Sequence, residues 1–122
     1  MKKPSKSQKN LAAFPGRLVL LGAGKMGGAM LDGWTARGLK ARQVVVIDPL
    51  AGKPIKALTK RGLVLNPKPG PKTKADAAAI IIAVKPQMAS EAIPPLGLYV
   101  GKSTLVVSIM AGFPWDVGVG MA

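Results

Sequence analysis

Residues 17–38 read RLVLLGAGKMGGAMLDGWTARG. A short apolar run enters a glycine-rich turn, and the turn opens into a pattern with helical spacing. Gly22, Gly24 and Gly27 form a G-x-G-x-x-G. Gly22 lets the chain leave a strand sharply, Gly24 leaves bare backbone at the turn, and Gly27 allows the new helix to pack close to the sheet. The amide groups and positive dipole end of that helix favour an anion at the turn. The motif has meaning only between a strand and a helix, and both patterns are present. A dinucleotide pyrophosphate site is the leading reading. A glycine-rich turn without a ligand is the alternative.

The rest of the chain repeats the alternation of strand and helix. Residues 17–22 form a first strand, apolar without alternation, as in a strand covered on both faces. Residues 25–37 form a helix whose apolar stripe is Met26, Ala29, Met30, Gly33 and Trp34, ended by Gly38 in a left-handed conformation. Residues 43–48 (QVVVID) form a second strand. Pro54 suits the first turn of a second helix, with Ile55 and Leu58 inward and Gly62 at its end. Residues 63–65 are a short third strand, and 66–73 (NPKPGPKT) are loop by composition. Residues 79–84 (AIIIAV) form a further strand. A short helix over 87–93 follows, interrupted by Pro94 and Pro95. Residues 104–109 (TLVVSI) form the last strand. Such an alternation gives a parallel sheet with right-handed crossovers: a single α/β domain, Rossmann-type and doubly wound.

The 122 residues suit one domain, and the 48% hydrophobic content argues against general disorder. The absence of cysteine and histidine excludes a disulfide, a thiolate metal site, a cysteine nucleophile and a histidine base. The net charge of +13 points to an anionic ligand or to a solvated basic surface. Lys2, Lys3, Lys6 and Lys9 lie in a leader, residues 1–16, expected to be flexible. Lys53, Lys56, Lys60, Arg61, Lys68, Lys72 and Lys74 form one stretch without an acid. The few aromatics (Phe14, Trp34, Tyr99, Phe113 and Trp115) are not interleaved with the bases, so no specific nucleic-acid partner is expected. No segment has the length and apolarity of a secretory signal or membrane span. A cytoplasmic protein without a membrane partner is expected.

In doubly wound sheets the ligand lies outside the carboxyl ends of the strands, and the unusual residue clusters all fall there. Asp48 stands 21 residues after Gly27, where a ribose-binding acid belongs. Its carboxylate would accept from the ribose hydroxyls of NAD and repel a 2′-phosphate. Lys53 and Lys56 follow at once and would suit that phosphate, so NAD(H) and NADP(H) both stay open. Asp48 also suits a simple turn before Pro49. Lys85 is placed to bring a cation near the cofactor or to sit on a surface loop, and Pro86 to stop the strand.

LVLLGAGKMGGAMLDGW, VVVIDP, AVKPQ and TLVVSIMAG, in that order, resemble the N-terminal half of pyrroline-5-carboxylate reductases. The resemblance covers residues 17–112. The glycine turn is shared with β-hydroxyacid dehydrogenases and coenzyme F420-dependent NADP reductases, whereas AVKPQ followed by SIMAG is more specific. The resemblance implies reduction of a small cyclic imine, 1-pyrroline-5-carboxylate, to L-proline by hydride from a nicotinamide dinucleotide, a step in proline biosynthesis. By motif, Leu21, Gly22, Ala23, Gly24, Lys25, Met26 and Gly27 would hold the pyrophosphate. Ala83, Val84, Lys85 and Pro86 would line the path to the nicotinamide ribose, and Met110, Ala111 and Gly112 would lie near the ring. The cofactor carries such chemistry, so the missing histidine does not count against it.

Members of that family are about twice this length. Their second, helical domain forms the oligomer and holds the substrate. After Gly112 the chain reads FPWDVGVGMA, which departs from the family pattern, so residues 113–122 are expected to be a divergent or truncated tail. Residues 17–112 are then a dinucleotide-binding domain that lacks catalytic residues of its own and is inactive alone. A binding-only dinucleotide module and a fragment of a related NADP-dependent oxidoreductase are the alternatives.

Overall fold

A computed structural model describes residues 10–22, 24–68, 74 and 76–109. Its elements in chain order are β1 (Leu18–Leu21), α1 (Lys25–Ala36), β2 (Val44–Ile47), α2 (Lys53–Leu58), β3 (Val64–Leu65), β4 (Ala79–Ile82), α3 (Pro86–Ala92) and β5 (Leu105–Ser108). The sheet order is β3-β2-β1-β4-β5, and every pairing is parallel. This is a single Rossmann-type α/β sheet. Leu18 aligns with Val44 on one side and Ala79 on the other, so β1 is the central strand, at the point where the strand order reverses.

Period-two geometry sends alternate residues of the strands into two cores. Leu18, Leu20, Val44 and Val46 pack with Leu31 of α1 and Ile55 of α2. Val19, Leu21, Val45, Ile80 and Ile82 pack with Ala89 of α3 and with Ile93, Leu96 and Tyr99 beyond it. Each large side chain fully buried in this way contributes about 1.5–3 kcal/mol. The continuous apolar runs of β1, β2 and β4 thus follow from helices on both faces.

Gly38 ends α1 with φ +107°. The Gly38 N–H donates to the Thr35 carbonyl and the Leu39 N–H to that of Trp34, each at 3.1 Å. This pair of bonds closes a helix through a left-handed glycine. Leu39 is buried beside Trp34 in the same core.

Four features differ from the sequence expectation. The inward face of α1 carries Gly27 and the fully buried Leu31, while Ala29 and Gly33 are exposed. A Cβ on Gly27 would lie 2.5 Å from the Gly22 oxygen, so this contact fixes the helix rotation, and Leu31 follows one turn later. The segment 10–16 packs against the domain: Asn10–Ala13 form a 3-10 turn, Leu11 and Phe14 contact the core, and the Gln43 side-chain amide donates to the carbonyls of Phe14 and Gly16. Pro94 and Pro95 open a 3-10 helix, Pro94–Tyr99, rather than only interrupting α3, because proline suits a first helical turn. Finally, β5 is covered on one face alone. Val106 and Ser108 are half-buried, while Leu105 and Val107 are exposed.

Candidate functional site

The carboxyl edge of the sheet gathers the ends of β1, β2, β3 and β4. The hydrogen-bond ladder runs past the strands here. Gly22 N–H donates to Ile47 O at 2.8 Å, and Ala83 N–H donates to Leu21 O at the same distance. The turn after β1 is therefore tied to both neighbouring strands.

Gly22 adopts φ +86°, where a side chain is strained. A Cβ there would also lie 2.9 Å from Val84 Cγ1 and 3.0 Å from Val84 N. The glycine turn thus rests directly on the segment after β4, and two clusters distant in sequence form one surface. Gly27 seats the first turn of α1 against the Gly22 carbonyl. Gly24 is different. A Cβ built on it meets no heavy atom within 4 Å, so the backbone faces open space at the N-cap of α1. That combination of close packing at Gly22 and Gly27 with open space at Gly24 fits a turn that admits a phosphate.

Asp48 immediately follows β2. Its Oδ2 accepts the Gly24 N–H at 3.2 Å and its Oδ1 accepts the Leu50 N–H at 2.9 Å. The carboxylate thus faces the glycine turn across the gap between β1 and β2. Asn66, just after β3, bonds both backbone polar groups of Asp48. Asp48 N–H donates to Asn66 Oδ1 at 2.7 Å, and Asn66 Nδ2 donates to Asp48 O at 2.9 Å. Asn66 has φ +49°, in the left-handed region that asparagine tolerates. Sequence reading assigned it to a loop and missed this role; the Asn-Pro turn signal at 66–67 was the available clue.

Among the expected site residues, the structure brings Leu21, Gly22, Gly24, Gly27, Asp48, Ala83 and Val84 to this one edge. Leu21 is buried, with its side chain in the core shared with α3. Ala83 and Val84 are half-buried behind the turn. Lys85 is exposed on the same edge, at the N-cap of α3. Pro86 is the first residue of α3 rather than a stop to β4, which has already ended at Ile82. Lys25 and Met26 form the first turn of α1, and their side chains lie outside the described residues. Ala23, Met110, Ala111 and Gly112 also lie outside them. Lys53 and Lys56 are exposed on α2, the helix that follows Asp48. No group of acids suited to a metal ion occurs among the described residues. None of the described helices is long and apolar enough to cross a membrane.

Residues 17–112 match the protein-family model described as NADP oxidoreductase, coenzyme F420-dependent. The chain belongs to this family. Its domain binds NAD(P)H and occurs in oxidoreductases. The chain is also 30% identical, over 98 residues, to a pyrroline-5-carboxylate reductase of Pseudomonas aeruginosa. The match covers 80% of this chain and 36% of that relative. The chain is thus similar to the cofactor-binding part of that enzyme and spans about a third of its length.

Proposed function

We propose that residues 17–112 bind the dinucleotide of a pyrroline-5-carboxylate reductase-like imine reductase. The observation that carries this reading is the meeting of three separated segments at one edge. The open backbone of Gly24, the Asp48 carboxylate and the Ala83–Val84 wall behind Gly22 lie together. Gly22, Gly24 and Gly27 would admit the pyrophosphate at the start of α1, with Leu21, Ala23, Lys25 and Met26 completing the turn. Asp48 would accept from the adenosine ribose. Ala83, Val84, Lys85 and Pro86 would border the nicotinamide ribose, and Met110, Ala111 and Gly112 the ring. The bound dinucleotide supplies a hydride, and the residues of this chain supply its placement.

In this reading the substrate is a small cyclic imine held by a further domain, of the kind that would also make the oligomer. Residues 1–16 are a basic leader and 113–122 a divergent tail. The chain works in the cytoplasm and is inactive by itself. A related NADP-dependent reductase is the second reading, favoured by the description of the family.

Fluorescence titration with NADH and NADPH tests the proposal, and saturable binding of at least one is expected. Gly24→Val should abolish that binding and leave the fold intact, since its side chain would occupy open space. Survival of binding in this variant would remove the phosphate assignment. Proline formation from pyrroline-5-carboxylate by the isolated chain, followed by nicotinamide absorbance, would overturn its predicted inactivity.

A further inference from the structure

The least expected feature of the carboxyl edge is the reach of β3 into it. β3 pairs with β2 through Val64 and Leu65. The Asn66 N–H then donates to Val46 O at 2.8 Å. Beyond that point the backbones diverge, and the Asn66 side chain takes over. Its amide oxygen and nitrogen bond the N–H and the carbonyl of Asp48, as a neighbouring strand would. The left-handed conformation of Asn66 turns its side chain along the ladder. Asp48 is thereby fixed at its main chain by Asn66 and at its carboxylate by the Gly24 and Leu50 amides.

We propose that Asn66 is a positioning residue for Asp48, and that through it the site selects NAD(H) over NADP(H). The inference rests on the dinucleotide reading above. A carboxylate has about four acceptor sites, so one group can serve backbone donors and a ribose hydroxyl together. The same negative charge, unable to swing away, opposes a 2′-phosphate at that place. A mobile aspartate would turn toward solvent and let Lys53 or Lys56 receive the phosphate. Fixing the main chain of Asp48 therefore converts a common acid into a discriminator.

The test is the ratio of NADH to NADPH affinity, measured by nicotinamide fluorescence on the full chain. Wild type should bind NADH more tightly. Asn66→Gly keeps the left-handed backbone accessible and removes both side-chain bonds. It should weaken NADH binding about three- to tenfold and leave NADPH nearly unchanged, so that the ratio falls. In an Asp48→Asn background the same change should leave the ratio where it was, because the effect passes through the carboxylate. A merely structural role would weaken both cofactors equally and would persist without Asp48; either result overturns the inference. So does a wild type that prefers NADPH, while the dinucleotide reading stands. A wild type that binds neither cofactor removes both. Asp48→Asn alone, which leaves Asn66 in place, should also shift preference toward NADPH, and an unchanged preference there sinks the selectivity claim even if Asn66→Gly fails to fold.

Discussion

Val46 in β2 is completely buried, whereas Val107 in β5 is 37% exposed. The two strands read alike in sequence, as VVVI and LVVS. Their difference comes from their neighbours. β2 lies between β1 and β3 with α1 and α2 on one face and the α3 side on the other. β5 pairs with β4 alone among the described strands, and Leu105, Val107 and Ile109 line its uncovered face. An apolar run thus specifies a strand by its own residues, but its burial is a property of the sheet around it.

The largest effect should come at the centre, where β1 meets β4. Gly22→Val places a branched side chain at φ +86° and against the Val84 backbone. Loss of a cooperative thermal transition is expected, and a near-native melt would mean that the central junction is looser than its contacts imply. Next comes a direct contrast between centre and edge. Leu20→Ala, at a fully buried position, should cost about 2–5 kcal/mol in denaturant titrations. Leu105→Ala, at a position 62% exposed, should stay within about 0.5 kcal/mol. Similar costs would erase the distinction between the two strands.

The smallest effect belongs to the exposed pair Arg17–Asp76, 2.7 Å apart, just before β1 and β4. The hydrogen bond from Arg17 holds the Asp76 carboxyl below its ordinary value. A depressed acid adds stability above its unfolded pKa, and that stability is lost as the pH falls through the lower folded value. Asp76→Asn should therefore produce a slight destabilisation at neutral pH that vanishes in strong acid. Solvent screening keeps it small. Melts at several pH values would check this, and a large shift would show that the surface matters as much as the centre.

Local rules made much of this legible. The glycine turn was readable because Gly22, Gly24 and Gly27 each answer a constraint set within a few residues. Asp48 was readable because its distance from the turn follows from one β-α-β unit. The rotation of α1 was not, since Met26-Met30 and Gly27-Leu31 both satisfy helical spacing. Only the contact between Gly27 and Gly22 chooses between them. Asn66 was missed for a similar reason. Its sequence neighbours say turn, while its function depends on a strand that lies eighteen positions earlier in the chain. The open face of β5 was illegible because a missing neighbour leaves no mark on the strand itself.

The position of β1 also governs the order in which the molecule can be assembled. Leu18 must find Val44 on one side and Ala79 on the other. During synthesis the first pairing becomes available early, but the second waits until the chain through β4 has emerged. Long-range parallel pairing of this kind is slow, because a large loop must close before its contacts form. The wall that Ala83 and Val84 give the glycine turn is consequently a late event. A nascent chain holds the complete motif well before it holds a rigid turn, and any ligand that needs that turn would report on the completion of folding.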